Sequence, residues 1–321
     1  MKTSNYFYHE FMSIMQSKIP HKATLANTIT TILDIDKDAA YRRLRGEVNF
    51  SFTEMAFIAR KLGISLDEIV GIDTDRCQSI RLTLTKHINP TEADYAMFND
   101  YINTMLLIKD EPDTKIIEGG NLLPHYLFFD YEYITRVFMF RWSQNSYDGK
   151  RLPFHEIIIP ERMRKLQKQA CFYARHIKST IFVWDSVIFE HFVSSVKFYA
   201  HVRLIKEEDI DLIKKDLILL LNDIEKIAIT GKYQDTGNAV SIYIGDIDAD
   251  ANLSYTESKN MCFTTYWAFL INAFSSFDGM FLDEIRSWLH SAQRFTTLIS
   301  VSGDKMRTEF FNTQREIIDT L

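Results

Sequence analysis

Six polar side chains able to meet a nucleic acid fall between residues 37 and 45 of this sequence: Lys37, Asp38, Tyr41, Arg42, Arg43 and Arg45. Arginine and lysine donate to phosphate oxygens and to guanine O6 and N7, and an aspartate can accept from cytosine N4 or hold an arginine in place. Lys22 and Asn49 flank the group as phosphate-contact candidates. Recognition of duplex DNA is the chemistry these types share. Taken alone, the YRRLR stretch would also suit the solvated face of a charged helix.

Other constellations carry less. Asp246, Asp248, Asp250 and Glu257 stand at the first, third, fifth and twelfth places of a calcium-loop pattern, with Leu253 at its apolar place. Ala251 occupies the place where that loop needs glycine, and VSIYIG before it reads as a strand, so an acidic hairpin turn is expected. His155-Glu156 does not extend to a zinc motif, and His191 and His201 lack a ligand partner at metal spacing. Gly119-Gly120 has no phosphate-loop context and reads as a turn, and Ser302-Gly303 has no nucleophile-elbow pattern. No catalytic set emerges, so neither an enzyme, a cofactor nor a metal is expected. The aromatic residues at 126–142 could line a ligand pocket but suit a core better.

The elements that must hold the basic cluster can be read from spacing. Residues 6–17 have helical periodicity, and Pro20 ends that helix. Leu25, Ile29, Ile32 and Leu33 mark a second helix at about 23–33, and Asp34-Ile35-Asp36 is a tight corner. A third helix runs from about Lys37 to Arg45, with Asp36 as N-cap and Gly46 where a left-handed residue is wanted. Ser51-Phe-Thr-Glu54 is a capping box opening a fourth helix to Leu62, ended by Gly63. Ser65-Leu-Asp-Glu68 opens a short fifth helix that Gly71 closes. In the third helix, Ala40 and Leu44 with part of Tyr41 can face inward, leaving Lys37, Asp38, Arg42 and Arg45 outward and Arg43 at the edge.

This order of elements, in the segment ATLANTITTILDIDKDAAYRRLRGEVNFSFTEMAFIARKLGISLDEIVG (23–71), resembles the Cro/C1-type (lambda repressor-like) helix-turn-helix family. Within it the YRRLRGE stretch is most similar to uncharacterised regulators of Bacteroidetes bacteria. The resemblance covers roughly a sixth of the chain. It departs from the family at Asp34, where Gly or Asn is usual, and in the apolar positions of the third helix, which are shifted by one residue. It implies a transcription regulator that reads the major groove with the helix at about 36–45, using Lys22, Lys37, Asp38, Tyr41, Arg42, Arg43, Arg45 and Asn49, and that binds paired half-sites as a homodimer.

The rest of the 321 residues call for further structure. Forty-six per cent hydrophobic and 25% charged residues are ordinary globular values, and 11 Gly and 6 Pro are few enough to favour helix. The net charge is −6. Residues 1–72 hold nine Lys and Arg against eight Asp and Glu, a net of +1, leaving −7 for the remainder. The acidic excess therefore lies outside the basic cluster. Cys77, Cys171 and Cys262 are odd in number and far apart, as in a reducing compartment. The first residues lack a signal-peptide pattern, and no apolar run is long enough for a membrane span, so a cytoplasmic protein is expected.

Beyond a connector, helices are expected at 95–108, 160–176, 185–205, 207–228, 281–299 and 304–320. Residues 131–142 could be helix or buried strand, and 115–129 two short strands or a loop. Residues 239–245 and 252–267 alternate like strands. The expected class is α+β, mainly α: residues 1–75 form a helix-turn-helix domain, 76–94 a linker, and 95–321 a domain that dimerises or senses a small-molecule effector. The terminal helix, with Met306, Phe310, Phe311, Ile317 and Ile318 along one side, could pack internally or against a second subunit. The alternative is an adaptor protein using the helical domain without DNA.

Overall fold

Short amphipathic helices with capped ends build the first part of the molecule, and a mixed sheet under a thick helical layer builds the second. The computed structural model describes residues 6–19, 21–62, 64, 66, 69, 90–144, 152–247, 252–259, 261–268, 272–277 and 279–321. The chain divides into two compact units, Met1–Ile80 and Arg81–Leu321. It is an α+β protein with a helical N-terminal unit.

The first unit contains α1 (Tyr6–Lys18), α2 (Lys22–Leu33), α3 (Lys37–Leu44) and α4 (Phe52–Leu62). Phe11 and Met15 of α1, Leu25 and Ile29 of α2, Ala40 of α3 and Ile58 of α4 lose essentially all solvent contact against one another. Each such large side chain is worth about 1.5–3 kcal/mol of burial. The Tyr8 hydroxyl accepts the Phe50 N–H at 3.2 Å, tying α1 to the segment before α4. Ser65, Asp67 and Glu68 of the second capping box, and Gly63, Gly71 and Cys77, lie outside the described residues.

In the second unit, seven strands lie in the order β6-β5-β4-β1-β2-β3-β7. They are β1 (Lys115–Gly120), β2 (Ser179–Asp185), β3 (Ala239–Gly245), β4 (Asn252–Glu257), β5 (Cys262–Ala268), β6 (Asn272–Ser276) and β7 (Thr297–Leu298). Strands β1, β2 and β3 are parallel, and the others pair antiparallel. The helices are α5 (Glu92–Ile108), α6 (His125–Phe128), α7 (Glu132–Gln144), α8 (Glu161–Arg175), α9 (Glu190–His201), α10 (Glu207–Thr230), α11 (Gly279–Arg294) and α12 (Asp304–Asp319). Parallel neighbours need crossovers. Helices α6 to α8 supply one between β1 and β2, and α9 with α10 the next. These helices, with α5 and α12, bury Phe182, Trp184, Val240, Ile242 and Ile244 on one face of the sheet. On the other face α11 covers Ile117, Val183, Leu253 and Tyr255 with Leu289.

Several expectations change. The acidic stretch after β3 is not a hairpin turn, because β3 pairs with β2 and β7 whereas β4 pairs with β1 and β5. Gly119-Gly120 is no turn either but the end of β1, and α11 is the reason. A Cβ on Gly119 would fall 2.8 Å from Leu289 Cδ2, so glycine lets the helix settle on the sheet. The second expected strand in 115–129 is the short helix α6. The strand β2 lies just ahead of a helix expected from 185, which begins at Glu190. The helix expected at 281–299 stops at Arg294 and gives way to β7.

Tyr126, Phe128, Phe129, Phe138, Phe140 and Trp142 are core. Phe310, Phe311 and Ile318 of α12 are buried inside the unit, so that face packs internally. Cys171 and Cys262 are unpaired thiols.

Candidate nucleic-acid interface

The turn between α2 and α3 does what its acidic residues allow. Asp34 adopts the left-handed conformation (φ 52°, ψ 49°) that ends α2, a place where a short polar side chain is tolerated. Asp36 then caps α3, its carboxylate accepting the Ala39 N–H at 2.7 Å. Two helices joined by a three-residue corner form a helix-turn-helix.

The far end of α3 is closed equally firmly. Gly46 takes a φ of 75°. The Glu47 N–H donates to the Arg42 carbonyl at 2.9 Å and the Gly46 N–H to the Arg43 carbonyl at 3.0 Å, the paired bonds of a Schellman end. The Ser51–Glu54 capping box forms as expected. The Glu54 N–H donates to Ser51 Oγ at 3.2 Å, and Glu54 Oε2 accepts the Ser51 N–H at 2.7 Å.

With α3 fixed on both ends and Ala40 buried beneath it, the candidate residues sort by exposure. Lys37, Asp38, Arg42 and Arg45 are exposed on α3 and its C-cap, and Lys22 at the start of α2 and Asn49 beyond Gly46 are exposed too. Tyr41 is half-buried. Helix α2 has neither an acidic first-turn residue nor a side-chain cap, so its first N–H groups stand beside Lys22 as anion donors.

Arg43 is different. Its guanidinium donates to Glu54 Oε1 at 2.8 Å, and the pair is only 19% and 22% exposed. It joins α3 to the first turn of α4. Desolvation works to raise the Glu54 carboxyl, but the Ser51 N–H and Arg43 outweigh it and leave the group below its ordinary range. Arg43 is therefore a positioning residue for α3.

Two residues with a role in this surface were not singled out from the sequence. Glu54 was visible only as half of a capping box, because nothing in the spacing shows that its second oxygen meets Arg43. Glu47 bridges both outward arginines, at 3.6 Å from Arg42 Nε and 2.6 Å from Arg45 Nε. The hydrogen bond from Arg45 is the main reason the Glu47 carboxyl sits below its ordinary range. This clamp exists because the Schellman turn folds residue 47 back over α3.

Among the described residues of the second unit, the most perturbed carboxyl is Glu118 of β1. It is buried in the helix-covered face and accepts the Tyr126 hydroxyl at 2.6 Å. Desolvation pushes it up to about 7, against the lowering effect of that hydrogen bond. Burial likewise pushes His125 down to about 3. Among the described residues, no three His, Cys, Asp or Glu gather at metal-holding distance, and no helix is long and apolar enough to cross a membrane.

Residues 10–92 match the family model of the BetR domain, a helix-turn-helix DNA-binding domain family. The matched segment takes in most of α1 and all of α2, α3 and α4. No curated protein and no solved structure matches the chain.

Proposed function

We propose that the protein is a sequence-specific transcription regulator that lays α3 in the DNA major groove. The observation that carries this reading is α3 itself. It is short, capped at both ends and anchored by buried Ala40, and it projects Lys37, Arg42 and Arg45 outward. Those are the properties a recognition helix needs. Arg42 and Arg45 are the candidates for guanine or phosphate contacts, Lys37 and Asp38 for base edges near the helix start, and Lys22 and Asn49 for flanking phosphates. Arg43, held by Glu54, sets the angle between α3 and α4. The BetR match supports DNA binding, and the order of elements also suits a Cro/C1-type arrangement. The second unit is assigned dimerisation or effector sensing rather than catalysis, in a cytoplasmic bacterial setting.

The adaptor reading has one observation in its favour, the exposure of Phe52 and Phe57 on α4. Duplex binding as a function of salt separates the two. A regulator loses affinity steeply as salt rises, and Arg42→Ala with Arg45→Ala lowers the slope by about one to two. An adaptor shows no salt-dependent duplex binding, and that result would sink the proposal.

A further inference from the structure

Helix α11 rests on the sheet through Leu289, fully buried and seated where β1 has glycine, with Leu282, Ile285 and Ala292 partly buried beside it. That anchor fixes the rotation of the helix. It sets Arg286, His290 and Arg294, which follow one another at four-residue intervals, along one line of it. Four residues of helix rise about 6 Å, so the two guanidinium groups spring from points about 12 Å apart with the imidazole between them. All three line an open cleft of about 810 Å³ with Tyr243 of β3, Ser287 and Gln293. Asp283, near the start of α11, is the cleft's acidic residue.

None of the three cationic-type side chains is paired with a carboxylate among the described residues. Elsewhere in this unit charged side chains do find partners, as Arg175 does with Asp130 and Arg315 with Glu225. The Arg286 guanidinium instead lies 5.8 Å from the centre of the Tyr255 ring, which orients it while leaving its N–H groups available. Arg294 closes the last turn of α11, where the helix dipole favours positive charge. The protein outside residues 1–72 carries a net −7, whereas this cleft is lined by two arginines against one aspartate, a local reversal of the prevailing charge.

We infer that this cleft binds a small organic anion carrying two or more acidic groups. Arg286 and Arg294 would take its ends by charge-assisted, bidentate hydrogen bonds. His290, Ser287 and Gln293 would meet its middle, and Tyr243 would contact its body. The cleft volume falls within the range of small-molecule sites. This assignment gives the effector-sensing part of the proposed regulator a site and a ligand chemistry. Binding is read without DNA, so its failure leaves the DNA reading standing.

Carboxylate and phosphate ligands share this chemistry, and two probes distinguish them. Citrate and tripolyphosphate are each titrated calorimetrically into the full-length protein, the Arg286→Ala/Arg294→Ala variant and the Arg42→Ala/Arg45→Ala variant. The expected result is saturable binding of at least one probe with a Kd below about 1 mM. It weakens at least about tenfold in the α11 variant, an effect of the size expected when charge-assisted bonds are lost, and is unchanged in the α3 variant. Circular dichroism shows whether the α11 variant is folded. Should it unfold, Arg286→Gln with Arg294→Gln replaces it. The probe that binds more tightly identifies the acid group. Absence of saturable binding by either probe, equal affinity in a folded α11 variant, or loss in the α3 variant instead would each overturn the assignment.

Discussion

Replacing Glu118 by Gln should make the protein more stable at neutral and alkaline pH, although it removes a native side chain from the centre of the sheet. Glu118 is 5% exposed and accepts a hydrogen bond from the Tyr126 hydroxyl. Burial raises its carboxyl from 4.5 to about 7. The folded chain therefore holds this proton more tightly than the unfolded chain does. Stability from this group is fully present below pH 4.5, declines as pH rises from 4.5 toward 7, and levels off above that. At 1.36 kcal/mol for each pH unit, the ionised carboxyl costs the fold about 3 kcal/mol at pH 8.

Glutamine keeps the shape and an oxygen to accept from Tyr126 but never ionises. Urea unfolding followed by tryptophan fluorescence, at intervals from pH 4.5 to 8, gives the difference between the two proteins, in which other titrating groups cancel. The two should match near pH 4.5, and Glu118→Gln should lead by about 3 kcal/mol at pH 8. A difference that does not change with pH, or a variant less stable than the parent at pH 8, would refute the account of this carboxyl.

Three further outcomes follow from the first unit. Glu47→Ala frees Arg42 and Arg45 from their clamp and removes a negative charge beside the surface proposed to face DNA. Duplex affinity at low salt should rise severalfold, as measured by fluorescence anisotropy. Arg43→Ala should weaken duplex binding while leaving the salt slope unchanged, since Arg43 is committed to Glu54; a reduced slope would instead make it a phosphate contact. Asp36→Ala removes the α3 N-cap, which is worth about 1 kcal/mol, so amide exchange across α3 should quicken about fivefold.

The first unit was the more legible because its instructions are local. Asp36, Gly46 and the Ser51–Glu54 box act within three or four residues of themselves, and each end they mark appears where the spacing places it. What was hidden there depends on contacts across turns: Glu54 reaching Arg43, and Glu47 folding back on Arg42 and Arg45. In the second unit helices were legible by their apolar period, but sheet order was not. Strand β2, buried on both faces, reads STIFVWD with little alternation, and so went unassigned between the helices expected at 160–176 and 185–205. The acidic segment after β3 resembled a hairpin because strands flank it, yet β3 pairs with β2 and β7 and β4 with β1 and β5, not with each other. Gly119 looked like a turn because its reason, Leu289 of α11, lies 170 residues further on. The cleft along α11 was invisible for the same cause. Its arginines are unremarkable in sequence and gain meaning only once Leu289 fixes which side of the helix faces outward.

The central claim is that α3 reads DNA sequence. The most direct measurement is selection of bound duplexes from a randomised library by the full-length protein, beside the Arg42→Ala/Arg45→Ala variant. The account predicts one enriched motif for the native protein, with the positions read by those arginines relaxed or lost in the variant. No enriched motif, or the same motif with the same strength in both proteins, would contradict it.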